Sequence, residues 1–414
     1  MTSAAFNSPM PWHREDGHIA HRGATSRTVA SLPPSGIRRF FEMLDQMADV
    51  ISLGVGQPDF ATPSQVAQAG VDSMLDGRTG YTSNYGLLEL REQLSAHIER
   101  RYGVEYSPRT ELLLTTGVSE ALDLACRAIL DPGDEVLVPE PAYVAFQPVI
   151  LLAGGRYVAV PTGPETAFMV TAADIEAAIT PATKAILLAY PSNPTGAVMS
   201  RQALEDVAAV VRRHDLWVIS DETYDRLVYD HQHTCFASIE GMRERTILLG
   251  GFSKAYAMTG WRLGFAAAPA SALEAMMKVH QYVMMSAPSA AQYAALEALA
   301  SGEEDVRGMV AEYDRRRRLV VRRLGDMGLP LVEPRGAFYA FPNVASAGLE
   351  DLEFCERLLL EERVAVIPGS AFGESGRGFV RICYAASYAD LEEAMNRIER
   401  FLQRRRTEVT ERDD

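Results

Sequence analysis

Positions 250–265 read GGFSKAYAMTGWRLGF, with Lys254 set between a serine and an alanine and Arg262 further along the same stretch. The segment shows neither a helical period nor alternation, so packing does not dictate where its two cations stand. Other polar residues interrupt or follow apolar runs elsewhere in the chain. They are Val118-Ser119 after ELLLTTG, Tyr143 in PEPAYVAFQ, Asn193 in PSNPTG, Asp221 and Tyr224 in LWVISDETY, and Ser253 beside Lys254. One lysine, one carboxylate closing an apolar strand, a tyrosine, an asparagine and an anion cradle suit a Schiff base between an amine and an aldehyde cofactor. Pyridoxal phosphate makes those demands: an amine for C4′, an anion for its ring nitrogen, donors for its 3-oxygen and a phosphate pocket. A carboxylate at Asp221 is costly to bury without a cation, and a pyridinium N–H supplies one. Ser119 opens a helix whose free N–H groups and dipole attract anions, while Ser253 and Arg262 add a hydroxyl and a bidentate fork. The competing readings are a surface loop for Lys254, a helix N-cap for Asp221 and plain capping for Gly117-Val118-Ser119.

The positions of these residues follow from the texture of the chain. ELLLTT (111–116), DEVLVPE (134–140), RYVAV (156–160), KAILLAY (184–190), LWVISDE (216–222) and TILLGG (246–251) alternate with amphipathic segments. That pattern predicts an α/β domain with a mostly parallel sheet covered by helices on both faces. WRLGFAAA (261–268) is expected to add an edge strand. Ligands of such sheets bind outside the carboxyl ends of the strands, where all the polar residues above fall. Beyond residue 290 come a long charged helix, the short strands GAFYAFP and GFVRICYA, and a last helix LEEAMNRIERFLQ, which together predict a smaller α+β domain. The expected division is a tail at 1–30, a segment 31–60 packing with the small domain, a large domain at 61–295 and a small one at 296–414.

Composition narrows the partners. The chain has 414 residues, 47% of them hydrophobic and 23% charged, and a net charge of −15. That field disfavours nucleic acid and anionic membranes but allows a small anion held by a local arginine cluster. Cys126, Cys235, Cys355 and Cys383 are scattered without a CxxC pair, which argues against a zinc or disulfide framework. His231 and His233 form an HxH with no further ligand nearby in sequence, so no metal is expected. GVGQPD (54–59) lacks the third glycine of a dinucleotide fingerprint. No apolar run reaches membrane-spanning length, and the N-terminal residues lack an apolar signal core, so a cytoplasmic protein is expected.

Taken in order, TKAILLAYPSNPTG, VISDETY, GGFSKAYAMTGWRLGF and GFVRICYA resemble the class I/II aminotransferases, pyridoxal-phosphate enzymes of fold type I. The likeness runs from about Ser35 to the last helix. It implies that Lys254 carries the Schiff base, that Asp221 pairs with the ring nitrogen, and that Tyr224 and Asn193 donate to the 3-oxygen. Tyr143 would stack on the ring, and Val118, Ser119, Ser253 and Arg262 would hold the phosphate. Arg381 would grip the substrate carboxylate, with Gly56 at a backbone approach to substrate. Tyr81, in GRTGYTSNYG, would reach the phosphate of a neighbouring subunit, which implies a homodimer with shared active sites. The resemblance also implies a cis Asn193–Pro194 bond.

The expected reaction is transfer of an amino group from an L-amino acid, aromatic, neutral or aspartate, to a 2-oxo acid, with 2-oxoglutarate as the expected acceptor, in ping-pong half-reactions. A β-eliminating lyase or decarboxylase would use the same residues. A pyridoxal-sensing regulator would need a DNA-binding segment before the domain. No cation is evidently dedicated to a distal carboxylate, although Arg38 and Arg39 stand near the expected substrate side.

Overall fold

The computed structural model describes residues 25–32 and 47–413. Residues 25–32 carry a one-turn helix, Arg27–Ala30, and belong to a separate compact unit. From residue 47 on, the described chain clusters as one unit.

Its centre is a seven-stranded sheet in the order β2-β8-β7-β6-β5-β3-β4. The strands are β2 (Leu112–Thr115), β3 (Glu135–Glu140), β4 (Arg156–Pro161), β5 (Thr183–Leu188), β6 (Trp217–Asp221), β7 (Thr246–Gly251) and β8 (Gly264–Ala267). β4, β3, β5, β6 and β7 run parallel, and β8 is antiparallel to both β7 and β2. WRLGFAAA is therefore an inner strand, contrary to the edge position expected of it. The reason is local. β7 and β8 are consecutive and antiparallel, so the chain turns back at Lys254, and among the described residues β8 is the strand through which β2 joins the sheet.

Alternate residues of each strand enter different cores, as the pleat requires. Leu112, Leu114, Leu137, Ile186, Leu188, Val218 and Leu248 pack on one face. Leu113, Val136, Val138, Ala185, Leu187, Ile219, Ile247 and Leu249 pack on the other. Both faces are dry, which is why these strands read as continuous apolar runs.

The helices are α1 (Ser64–Leu75), α2 (Leu88–Tyr102), α3 (Gly117–Ile129), α4 (Phe146–Leu152), α5 (Ala172–Ala178), α6 (Arg201–Arg213), α7 (Ala270–Val283), α8 (Ser289–Ser301), α9 (Glu303–Asp326), α10 (Asp351–Glu362) and α11 (Tyr388–Asp413). α3 and α7 pack together against one face of the sheet, with Ala121, Leu122, Leu273 and Met276 buried there. Towards the C-terminus, β9 (Tyr339–Ala340), β11 (Ile367–Pro368) and β12 (Val380–Cys383) form a second, antiparallel sheet. β1 (Ile51–Ser52) pairs in parallel with β10 (Val364–Ala365), so this part of segment 31–60 joins the C-terminal elements. Ser35 to Phe40, with Arg38 and Arg39, lie outside the described residues.

Candidate active site

A cleft of about 420 Å³ lies at the carboxyl ends of β5, β6 and β7, and all but one of the expected site residues line it. Gly56, Val118, Ser119, Tyr143, Asn193, Asp221, Tyr224, Ser253, Lys254, Arg262 and Arg381 come together there from separate stretches of chain. Tyr81 does not; its side chain is exposed and stands apart from the cleft. A wider recess of about 710 Å³ lies beside Arg101, Arg201, His233 and Arg335, but none of the expected residues line it. There Arg101 and Arg201 face Glu303 and Glu205, and His233 is bonded to Glu222 at 2.6 Å, so its charges are largely paired.

Lys254 follows β7 in the return to β8. Its Nζ donates to the carbonyl of Gly56 at 2.7 Å. Burial, helped by Arg381 and Arg262, lowers its pKa to about 8 against the pull of Cys383 and Asp221, which raise it. The cleft therefore holds an amine that sheds its proton far more readily than an exposed lysine.

Asp221 ends β6. Thr223 donates to its Oδ1 twice, from the backbone N–H at 3.1 Å and from Oγ1 at 2.6 Å. Both bonds use the same oxygen and leave Oδ2 for another donor. Burial raises the Asp221 pKa, against the opposing hydrogen bonds from Thr223. Strand alternation sends the next residue the other way: Glu222 accepts from Ser220, from Phe236 N–H and from His233. His231, the other half of the HxH, contacts Arg335.

Arg381 sits on β12, 3% exposed. It donates to Asn193 Oδ1 at 2.8 Å and to the Gly54 carbonyl at 2.6 Å, and its guanidinium lies 4.6 Å from the Tyr339 ring centre. Its Nε is buried without a partner. Gly54 is brought here because Cys383 N–H bonds the Leu53 carbonyl, tying the GVGQ strip to β12. Asn193–Pro194 is cis, as are Glu140–Pro141 and Tyr190–Pro191.

The anion cradle is built on close backbone approach. Gly117 opens α3 at φ +76, and a Cβ there would meet the Arg262 guanidinium at 2.6 Å. Arg262 itself has φ 54 and donates to the Thr259 carbonyl at 3.2 Å. On the other side, a Cβ at Gly264 would strike Val118 N at 2.6 Å. The start of α3, with its unfilled N–H groups, is thus wedged between Arg262 and β8.

Sequence reasoning passed over Tyr339 and Thr223. Tyr339 Oη lies 2.8 Å from Tyr224 Oη in a buried pair. Nothing in GAFYAFP separates it from a core aromatic. Thr223 had a readable signal, a hydroxyl two residues after a strand-end aspartate, where it closes a local turn.

A ring bearing an aldehyde, a protonated nitrogen and a phosphate arm fits this donor set. The free Oδ2 of Asp221 suits a ring N–H, the deprotonation-prone Lys254 suits an aldehyde carbon, and the glycine-cleared cradle beside Arg262 suits a phosphate. Of the charged residues lining the cleft, three are cations and one is the Asp221 carboxylate, so the site is locally positive in an acidic chain.

The sequence profile of the family described as Aminotransferase class I and II matches residues 48–398. The putative aminotransferase YugH of Bacillus subtilis (strain 168) is 51% identical over 374 residues, covering 90% of this chain and 97% of its own. An aspartate aminotransferase of Pyrococcus abyssi is 45% identical, covering 92% of this chain and 99% of its own. Among solved structures, an aromatic aminotransferase from Pyrococcus horikoshii OT3 superposes with a TM-score of 0.85 at 46% identity, over 89% of this chain and 99% of that one.

Proposed function

The chain belongs to the class I and II aminotransferases, enzymes that use pyridoxal 5′-phosphate, and on that premise we propose that it moves the amino group of an aromatic or other neutral L-amino acid to 2-oxoglutarate by ping-pong half-reactions. The observation that carries this reading is the meeting of Lys254, Asp221 and Arg381 in one cleft.

When bound, pyridoxal phosphate supplies the aldehyde that carries the amino group and a ring that takes up the electron pair of the substrate Cα. Lys254 would hold the aldehyde carbon and, as a neutral amine, would take the proton from the substrate Cα. Asp221 keeps the ring nitrogen protonated through Oδ2. Tyr224 and Asn193 donate to the 3-oxygen; either hydroxyl of the Tyr224–Tyr339 pair can donate, and when Tyr339 does, the Tyr224 proton is free to point into the cleft. Tyr143 covers the ring. Val118, Ser119, Ser253 and Arg262 hold the phosphate. Arg381 presents its fork to the α-carboxylate, and Gly56 lets substrate approach the backbone.

The donor preference rests on charge. Lys254, Arg262 and Arg381 all have assigned duties, and no further cation lines the cleft among the described residues. A distal carboxylate thus lacks a partner there. Related enzymes carry both names, aspartate aminotransferase in Pyrococcus abyssi and aromatic-amino-acid aminotransferase in Thermococcus litoralis.

Two chains complete each site in this reading. Tyr81 is 83% exposed, Leu75 79% and Tyr282 85%. Ser289 Oγ bonds the Gly80 carbonyl, which ties the Tyr81 segment to the start of α8. Large apolar side chains exposed in this way suit a two-fold partner, and Tyr81 would reach that partner's phosphate. Four buried, unpaired thiols and the lack of a spanning helix among the described residues agree with a cytoplasmic location.

The test is a pair of half-reactions. Loss of the visible cofactor band on adding single amino acids, reversed by 2-oxoglutarate, is the expected result. Release of ammonia and a 2-oxo acid with no acceptor present would instead make the chain a lyase.

A further inference from the structure

α7 carries a histidine that the reaction scheme does not use. His280 is fully buried, and its Nδ1 lies 2.6 Å from Glu120 Oε1 on α3. Its Nε2 has no partner. A buried N–H without an acceptor costs more than an unfilled lone pair, so the proton belongs on Nδ1, donating to Glu120, and Nε2 is a bare acceptor. The other oxygen of Glu120 accepts the backbone N–H of Thr116, the residue that caps α3.

This arrangement is informative because of where Glu120 stands. It lies in the first turn of α3, directly after Val118 and Ser119, which line the cleft. A carboxylate in a first turn is ordinarily favourable to the helix. Here the same free N–H groups are the cradle for an anion, and a carboxylate loose beside them would compete with it and repel it. The His280 bond turns Glu120 into the α3–α7 interface, where it takes the Thr116 N–H; the N–H groups that follow in the first turn are ones a helix leaves without an intrahelical acceptor.

We infer that His280 is a positioning residue for the phosphate of the cofactor: through Glu120 it locks the turn 116–119 in its anion-binding form and keeps the carboxylate out of the cradle. The inference rests on the cofactor site proposed above.

The test separates the phosphate from the rest of the cofactor. Apoprotein is titrated with pyridoxal phosphate and with pyridoxal, which lacks the phosphate, and the Kd of each is read from the change in protein fluorescence. His280→Leu should raise the Kd for pyridoxal phosphate on the order of 10- to 100-fold, the range of one hydrogen bond to a charged group, and leave pyridoxal unchanged. His280→Asn, whose amide nitrogen falls where Nδ1 was, should restore most of the loss. His280→Gln, which reaches the Nε2 position instead, should not. Equal weakening of both ligands, or rescue by Gln and Asn alike, would reduce His280 to a packing residue and overturn the inference. Should His280→Leu fail to fold, His280→Asn against His280→Gln carries the same comparison. Wild-type apoprotein that binds neither ligand would overturn the site assignment itself.

Discussion

Tyr224 and Tyr339 share one hydrogen bond, hydroxyl to hydroxyl at 2.8 Å, across the boundary between the segment after β6 and β9. A Cβ at Gly56 would meet the same Tyr339 hydroxyl at 2.3 Å. The three positions are therefore coupled. Gly56→Ala should push Tyr339 off Tyr224 and lower kcat/KM by about tenfold or more, the scale of one lost hydrogen bond. Tyr339→Phe alone should cost several-fold. Combined, they should cost less than the sum, because without the hydroxyl the nearest ring atom is 3.3 Å from the new methyl. A double-mutant cycle in kcat/KM checks this; strict additivity would refute the coupling.

Lys254 should react as an amine well below the pH at which ordinary lysines do. Its pKa is lowered to about 8, so the neutral form appears as pH rises through that value. The rate at which apoprotein takes up pyridoxal phosphate should climb with a midpoint near 8. Arg381→Met removes one of the cations that depress the value, so the midpoint should move upward. Stopped-flow absorbance over a pH series measures both. A wild-type midpoint near the ordinary lysine value would rule out burial as the cause.

Arg381→Ala should weaken every amino-acid donor alike, since the α-carboxylate is common to all. The loss in kcat/KM should be on the order of 100-fold or more, with Arg381→Lys recovering only part, because an ammonium lacks the planar fork. Donor choice is then read separately. Arg38→Ala should leave phenylalanine turnover intact, and a selective loss of aspartate turnover would assign Arg38 to the side-chain pocket and reverse the preference for neutral donors.

Subunit mixing tests the proposal that two chains share each site. Lys254→Ala chains keep Tyr81, and Tyr81→Ala chains keep Lys254. Each variant alone should be impaired. After dissociation and remixing in equal amounts, random pairing gives intact sites at about one position in four. Activity that stays at the mean of the two parents would show that Tyr81 serves its own chain or none.

Much of the site was legible because its residues break the pattern of the elements that carry them. Asp221 closes an apolar strand, Lys254 lies in a stretch without a period, and Asn193 sits between two prolines. Arg381 was legible only through its likeness to a family motif, since by burial pattern alone it reads as one residue of an otherwise apolar strand. Tyr339 and Glu120 were not legible. Their meaning comes from partners far along the chain, Tyr224 for one and His280 for the other, and pairings of that range leave no periodicity to read. The inner position of β8 escaped for a similar reason: a short apolar run states that a strand exists, but not which neighbours it takes.

That position of β8 bears on the order of assembly. Among the described residues β2 is an outermost strand whose one strand partner is β8, Leu112 against Ala267 and Thr115 against Gly264. Gly117 stands two residues after β2, and Gly264, against which its turn packs, comes far later in the chain. Closing so long a loop carries an entropic cost, so this pairing is expected late in folding. A nascent chain still short of residue 264 lacks the cradle's far wall. The same event that seats β2 also closes the turn bearing Lys254. The turn at Gly117 and the turn bearing Lys254 thus share one packing event.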